Sequence, residues 1–216
     1  MRLVIDSRFR GPRASGNGGY TCGLIAAFVG NPADVTLRRP PPLERPLRFD
    51  GERLWDGEAL VAEAHPAEVA LDVPAPVPFE EAERAASPDL DSHFPECFVC
   101  GYERVDGLRI FAGPVAGRDV VAATWVPAAD LTAPEFVWAA LDCPGAYATG
   151  VPGRGTVVLG RLAARVERVP RAGERCVVIG WSLGDDGRKH RAGTALFGED
   201  DDVLGVGRAL WIEPRP

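Results

Sequence analysis

Two stretches of the chain share one order of apolar and polar positions. In the first stretch, an apolar run over 20–29 is long enough for a buried helix, and Gly30 and Pro32 follow it as end signals. Short apolar runs after this helix are typical of strands. The strands are predicted at 35–39, 43–49, 59–64 and 69–73, with turns at Asp50-Gly51 and Asp56-Gly57.

The second stretch repeats this order with longer strands. Pro134 suits the first turn of a helix and Pro144-Gly145 suits its end, so a helix is predicted over 134–142. Strands are predicted at 107–111 and 119–125 before it, and at 157–169, 176–183, 191–197 and 203–212 after it.

A segment over 74–96, rich in proline and acidic residues, separates the two stretches. We interpret 1–78 as a first, reduced half, 79–96 as a linker and 97–216 as a second half. Strand, helix and then several hairpin strands is not the alternation typical of a parallel sheet. The sequence therefore predicts an α+β fold with an internal repeat, in which each half is an antiparallel sheet wrapped around one central helix.

The composition indicates which partners and which cellular location to expect, and it says less about the reaction. The 216 residues carry a net charge of −7, the wrong sign for a nucleic-acid footprint, so no nucleic-acid partner is expected. The N-terminus lacks the apolar region of a signal peptide, and no apolar run has the length of a membrane span, so no membrane partner is expected. Five scattered cysteines indicate reduced thiols and a cytoplasmic location.

Three short motifs resemble those of a known fold family. The motif CFVCG at 97–101, followed by GL at 107–108, is similar to the opening of hotdog proteins related to phenylacetyl-CoA thioesterases. The motif WAALD at 138–142 resembles their helix, which carries an acidic residue. The motif NGG at 17–19 resembles the start of that helix, usually written HGG. The resemblance implies a double hotdog, with two such halves in one chain.

The resemblance also implies a catalytic site divided between the halves. Asp142 takes the place of the acid in the family, while the same spacing in the first half reaches Ala26. Asn17, Gly18 and Gly19 take the place of the glycine turn. By resemblance, the N–H of Gly18 or Gly19 would hold a thioester carbonyl, and Asn17 would orient the water or the carbonyl. Asp142 would act as general base or nucleophile.

Five further residues are candidates for substrate binding. Tyr20, Trp138 and Tyr147 are placed near the same helices and could point into the pocket. Lys189 and Arg191 belong to a basic run that could meet the phosphates of coenzyme A. The alternatives are core packing for the aromatic residues and a solvated hairpin turn for the basic run.

The cysteines have two interpretations. Cys97 and Cys100 suggest zinc, since His93 lies shortly before them, but no second CxxC or HxxxH follows. We therefore expect no metal and a buried turn at this position. Cys143 has no histidine nearby in sequence and is interpreted as a small buried residue, with a nucleophilic role as the alternative.

Structural alternatives also exist for the catalytic candidates. Asp142 could simply be a polar residue at the end of a helix, and Asn17 could simply cap a glycine-rich helix start. We favour a hydrolase of acyl-CoA or a similar thioester, with no cofactor except coenzyme A as part of the substrate. A non-catalytic acyl-CoA binding protein is the main alternative. A hydratase would need an Asp/His pair, which the sequence near Asp142 lacks. The expected partner is a small-molecule acyl thioester, and a homodimer is left open.

Overall fold

The computed structural model describes residues 1–87, 94–152 and 155–215, and within them eleven strands form one antiparallel sheet. The strands are β1 (Arg2–Leu3), β2 (Ala33–Leu37), β3 (Leu47–Phe49), β4 (Arg53–Asp56), β5 (Ala59–Pro66), β6 (Gly113–Pro114), β7 (Val121–Trp125), β8 (Val158–Val166), β9 (Cys176–Asp186), β10 (Lys189–Phe197) and β11 (Val203–Ile212). The helices are α1 (Gly18–Val29), α2 (Phe79–Ala85), α3 (Pro134–Ala140) and α4 (Cys143–Ala148).

The order of strands is the same in the two halves of the sheet, which runs β1-β3-β4-β5-β2-β8-β11-β10-β9-β7-β6. In the first half, the strand that follows the helix, β2, pairs with the last strand, β5. In the second half, β8 follows the helix and pairs with the last strand, β11. The strands that precede each helix lie at the outer edges. This is the order that an internal repeat predicts.

The two halves join through one central strand pair. β2 and β8 run antiparallel beside each other, with Val35 opposite Leu162. Arg161 on β8 forms an ion pair with Asp34 on β2, and its Nε lies 2.7 Å from Asp34 Oδ1. Because Asp34 is buried and a buried carboxylate needs a cationic partner, this pair favours the observed register.

The helices α1 and α3 lie side by side against the sheet and share its main core. A Cβ atom at Gly23 would lie 2.7 Å from the Cα of Glu135, so α1 approaches α3 through a position without a side chain. Ile25, Leu141 and Leu162 are among the fully buried side chains that fill this core. The close approach brings the start of α1 to the end of α3.

A second apolar cluster lies on the opposite face of the sheet. Along β9, Val178 points into the main core, whereas Ile179 belongs to this second cluster, as the alternation of a strand requires. Val77 and Ala82 cover the same cluster, and α2 packs on β7. The interpreted linker 79–96 therefore contains a helix that packs on the sheet, while its positions 88–93 lie outside the described residues.

Several predicted elements are confirmed and others are wrong. The helix predicted over 20–29 is α1, and the strand predicted over 203–212 is β11. The strand predicted at 69–73 is wrong, because this proline-flanked segment instead crosses the second cluster. The strand predicted at 107–111 is also wrong: its amides bond to a loop, with Leu108 N–H donating to Phe98 O. β4 was not predicted.

The helix predicted over 134–142 is divided. α3 ends at Ala140, and Pro144-Gly145 lies within the following short helix α4 instead of ending a helix. Proline is tolerated in the first turn of a helix because no intrahelical acceptor awaits its nitrogen there. Asp142 stands in the break between the two helices, in the position before α4. The helices in the described ranges are all too short or too polar to span a bilayer.

Candidate functional site

Asn17 caps the start of α1 and binds Asp142 at the same time. Its Oδ1 accepts a hydrogen bond from the Tyr20 N–H at 2.8 Å, as an N-cap side chain does. Its Nδ2 donates to Asp142 Oδ2 at 2.8 Å. One side chain therefore satisfies a helix amide and orients the carboxylate of the second half.

The amide of Gly19 supplies a second hydrogen bond to the same oxygen. Gly19 N–H donates to Asp142 Oδ2 at 2.9 Å. A Cβ atom at position 19 would lie 2.5 Å from Asp142 Cβ and 2.6 Å from the Trp138 carbonyl oxygen, so only glycine allows this approach. The glycine turn therefore brings a backbone donor to the acid.

The other oxygen of Asp142 has no partner among the described residues. Asp142 is 2% exposed, and its Oδ1 is fully buried. Burial raises the pKa of Asp142 from 3.8 to about 7, with a further increase from the charge of Cys97. The hydrogen bonds from Gly19 and Asn17 oppose this shift. An unpaired oxygen on a buried carboxyl group is costly for folding, and costly groups of this kind concentrate at functional sites.

Gly18 offers a free backbone donor beside this carboxyl group. It is the first residue of α1, where an N–H has no intrahelical acceptor, and no other described residue accepts from it. The positive end of the helix dipole strengthens such a donor toward a negative oxygen. At the start of α1, the Gly19 amide therefore donates to Asp142, whereas the Gly18 amide has no acceptor among the described residues.

A cavity of about 630 Å³ extends from this point along the junction of the two halves. Its walls are mainly apolar and come from both halves. Gly18, Arg39, Cys97, Asp142, Tyr147 and Leu159 are among the lining residues. The volume is in the range of small-molecule sites.

Three buried cysteines lie next to Asp142. The Sγ atoms of Cys97, Cys100 and Cys143 all lie within 4.8 Å of one another, and those of Cys97 and Cys143 are 3.8 Å apart. Hydrogen bonds from the Cys100 and Cys143 thiols, joined by the amides of Cys100 and Val99, hold the pKa of Cys97 well below its usual value. Asn17 Nδ2 also lies 3.8 Å from Cys97 Sγ, which links this cluster to the carboxyl site.

Comparison with known proteins identifies the fold. No protein-family model and no curated protein sequence matches the chain. A proposed thioesterase from Novosphingobium aromaticivorans DSM 12444 superposes with a TM-score of 0.66 at 13% identity, over 99% of this chain and 95% of that one. A conserved protein of unknown function with a hot dog fold from Alicyclobacillus acidocaldarius gives 0.60 at 12% identity, over 100% and 93%. The chain has the hotdog fold.

A third similar structure is the acyl-CoA thioesterase II TesB2 from Mycobacterium marinum. It superposes with a TM-score of 0.59 at 12% identity, covering 100% of this chain and 93% of that chain. The hotdog resemblance of the CFVCG, WAALD and NGG motifs is thereby confirmed at the level of fold. Identities this low do not carry an activity from one hotdog protein to another.

The structure brings together five of the residues singled out from the sequence. Asn17 and Gly19 bind Asp142, and Gly18 and Tyr147 line the cavity together with it. Their catalytic and binding roles stay predictions.

The two other aromatic candidates lie in the core. Tyr20 stacks on Phe9 with ring centroids 4.1 Å apart and contacts Phe136, and its burial raises its pKa to about 12. Trp138 is buried between α1 and α3, where its Cβ lies near Gly23. Neither lines the cavity. The structure therefore places both residues in the core, as the alternative interpretation predicts.

Different basic residues reach the cavity from those selected in the sequence. Lys189 and Arg191 are exposed at the start of β10 and do not line the cavity. Arg38 and Arg39 line it instead; Arg38 pairs with Glu63, whereas exposed Arg39 has no acidic partner among the described residues. In the sequence, this wall of the cavity is marked only by the basic pair at 38–39. The pair does not indicate a cavity until the fold is known.

Proposed function

We propose that this protein hydrolyses acyl thioesters of coenzyme A at one composite site between the halves of a double hotdog. The observation that supports the proposal is the pair of hydrogen bonds that Asp142 accepts at the wall of an apolar cavity. Asn17 and Gly19 fix one carboxylate oxygen and leave Oδ1 for chemistry. Because the acid comes from one half and both donors from the other, neither half alone would carry the site.

The proposed reaction uses Asp142 as general base and Gly18 as oxyanion donor. Asp142 Oδ1 takes a proton from water as the water oxygen attacks the thioester carbonyl carbon. The developing oxyanion accepts a hydrogen bond from the free Gly18 N–H at the positive end of α1. The carbon–sulfur bond then breaks, and the leaving thiolate takes the proton back from Asp142. The products are a carboxylic acid and free coenzyme A.

The lining of the cavity favours a substrate with an apolar acyl group and an anionic end. Leu159, Val157 and Trp211 give the cavity apolar walls near the carboxyl site. Arg39, which is exposed and free of an acidic partner in the described part of the chain, offers a charge for the phosphates of coenzyme A.

The residues that would form a second site, at the positions related to Asp142 and Gly18 by the repeat, support one site per chain. Ala26 on α1 stands where the second half has Asp142 and cannot act as a base. Pro134 begins α3 and has no N–H to offer to an oxyanion. The repeat of strand order supports two hotdog halves, and the loss of both groups at the second position supports a single working site.

The comparisons support this proposal through the fold that the relatives share. The similar structure from Mycobacterium marinum is described as an acyl-CoA thioesterase II, and the one from Novosphingobium aromaticivorans as a proposed thioesterase. The hotdog fold of this chain covers nearly their whole length. Thioester hydrolysis is therefore the first activity to assay.

The test is release of free thiol from a panel of acyl-CoA substrates by the full chain. Asp142→Asn keeps the size of the side chain and removes the base, so kcat is expected to fall about 10²- to 10⁴-fold. Asp119→Asn, which changes an exposed carboxylate away from the cavity, is the matched control. Circular dichroism establishes that both variants are folded. Equal turnover by the wild type and Asp142→Asn contradicts the proposal.

A non-catalytic acyl-CoA binding protein is the second candidate. One observation favours it: Asp142 already binds two donors through Oδ2, and its Oδ1, the proposed base, is fully buried. Isothermal titration with a non-hydrolysable acyl-CoA thioether separates the two functions. Saturable binding without any thiol release from the matching thioester supports the binding protein and contradicts the hydrolase.

A further inference from the structure

The three cysteines Cys97, Cys100 and Cys143, here called the cysteine cluster, have the spacing of metal ligands. Two sulfurs bound to one tetrahedral Zn²⁺ at about 2.3 Å lie about 3.8 Å apart. The Sγ atoms of Cys97 and Cys143 are 3.8 Å apart, and all three Sγ atoms lie within 4.8 Å of one another. A metal ion at the centre would therefore need little rearrangement.

A hydrogen bond and a tight turn fix the position of Cys97. Asn17 Nδ2 donates a hydrogen bond to Cys97 Sγ over 3.8 Å, and Gly101 N–H closes the turn on Cys97 O at 2.8 Å. A Cβ atom at Gly101 would lie 2.4 Å from Pro95 O, so the tight turn depends on this glycine. Outer-shell donors of this kind orient and stabilise sulfur ligands in metal sites.

We propose that the cysteine cluster binds one Zn²⁺ through three thiolates, with the fourth coordination position facing the cavity. Three sulfur ligands in a tetrahedral arrangement select zinc among the common divalent ions. All three cysteines line the cavity, so a water molecule can complete the coordination. The ion would join the 94–101 loop to α4.

The sequence predicts no metal, because no second CxxC or HxxxH motif follows Cys97 and Cys100. The third ligand is a single cysteine, 46 positions after Cys97, that the break between α3 and α4 carries to the loop. His93, which the sequence suggested as a partner, lies outside the described residues. The zinc proposal does not rest on thioester hydrolysis, because its measurements need no substrate.

The chain supplies its own control cysteines. Cys22 on α1 and Cys176 on β9 are fully buried like the cluster, but they are not part of it. Cys22→Ala and Cys176→Ala each remove a buried thiol at a similar cost in packing. A loss of metal that is specific to Cys97→Ala, Cys100→Ala or Cys143→Ala therefore reports ligation.

The experiment measures metal content in the full chain after anaerobic reconstitution with zinc under reducing conditions and removal of free metal. About one Zn²⁺ per chain is expected for the wild type and both control variants, and at least about tenfold less for each cluster variant. Co²⁺ in place of Zn²⁺ gives a second measurement: sulfur-to-metal charge-transfer bands in the wild type that weaken in Cys143→Ala. Circular dichroism shows whether each variant is folded.

Four results overturn the proposal. They are less than about a tenth of an equivalent of Zn²⁺ in the reconstituted wild type, equal zinc in Cys143→Ala and Cys22→Ala, iron in place of zinc, and a Cys97–Cys143 disulfide in the reduced, metal-treated protein. If Cys143→Ala does not fold, the absence of charge-transfer bands in the Co²⁺-treated wild type decides against the site. Hydrolysis can fail or succeed independently of all these measurements.

Discussion

The amide of Gly19 donates a hydrogen bond to Asp142 Oδ2 over 2.9 Å, although the two residues are 123 positions apart in the chain. Gly19 belongs to the first turn of α1 and Asp142 to the break between α3 and α4. The contact exists because α1 begins where α3 ends and because position 19 has no side chain. The same contact therefore packs α1 against α3 and holds the carboxylate of Asp142 in position.

Gly19→Ala is expected to destabilise the protein. The added Cβ would lie 2.5 Å from Asp142 Cβ and 2.6 Å from Trp138 O, so α1 and α3 must separate. Overpacking of this kind costs about 2–3 kcal/mol, which lowers the melting temperature by about 4–12 °C in a chain of this size. The control is Gly155→Ala, whose Cβ would approach, within the described part of the chain, only Val151 Cγ1, at 3.4 Å. Thermal unfolding with equal midpoints for both variants contradicts this account of the helix contact.

The local part of the fold could be predicted from the sequence, since it depends on neighbouring residues. The apolar run before Gly30 predicted α1, and the long alternating run at 203–212 predicted β11. Elements whose conformation depends on distant packing were predicted wrongly. The 69–73 run is apolar because it covers the outer face of the sheet, and a pattern shows burial without showing the partner.

The candidate site was predictable only as two separate pieces. The resemblance of 17–19 and 138–142 to hotdog helices named both pieces, and the fold places them at hydrogen-bond distance. Neither the engagement of Gly19 by the acid nor the meeting of Cys97 with Cys143 follows from spacing, because both depend on how α3 breaks. Lys189 and Arg191 show the opposite case. A basic run is a candidate phosphate site in a sequence, although the fold can place it away from the cavity.

Arg39→Gln is expected to raise KM for acyl-CoA substrates. An exposed charge pair contributes up to about 1 kcal/mol, which corresponds to about a two- to fivefold change in KM at low salt. An acyl thioester of N-acetylcysteamine lacks the phosphates, so its KM should not change. Arg2→Gln, at the far edge of the sheet on β1, is the matched control. A rise for the double variant Lys189→Gln/Arg191→Gln in place of Arg39→Gln would return phosphate binding to the β10 hairpin.

Acid should weaken the fold partly through Glu174. Its carboxylate accepts hydrogen bonds from the Arg168 guanidinium, at 2.6 and 3.0 Å, and from the Arg171 amide. Arg168 is the main cause that lowers the pKa of Glu174 from 4.5 to about 2. A pKa lowered by folding stabilises the native state above about pH 4.5, and this stabilisation is lost as the pH falls toward 2.

Glu174→Gln isolates this contribution. Between pH 6 and pH 3 the free energy of unfolding of the wild type should fall by about 1–2 kcal/mol more than that of the variant. Urea unfolding at each pH measures the difference, with Glu83→Gln, an exposed carboxylate without an ion pair in the described residues, as control. Parallel pH dependence of the wild type and Glu174→Gln shows that the pair with Arg168 does not stabilise the fold.

Gly18→Pro tests the proposed oxyanion donor, because proline removes the one N–H in question. Position 18 is the first residue of α1, where proline is tolerated. The preceding Asn17 has φ −59° and ψ 135°, the extended conformation that a following proline requires. A Cβ at position 18 would lie 2.8 Å from Leu159 Cδ2 and 2.9 Å from Leu159 Cβ, so the substitution is made together with Leu159→Gly, which removes both atoms.

The matched control is Gly18→Ala in the same Leu159→Gly background. Both double variants carry the new Cβ and the same glycine at 159, and they differ in the amide hydrogen that the proline ring replaces. Loss of one oxyanion donor lowers kcat about 10²- to 10³-fold, so the proline variant should be slower than the alanine variant by about that factor, with similar KM. Equal kcat in the two variants would remove Gly18 from the mechanism and leave Asp142 without an oxyanion donor on α1, since the Gly19 amide is already held by the acid.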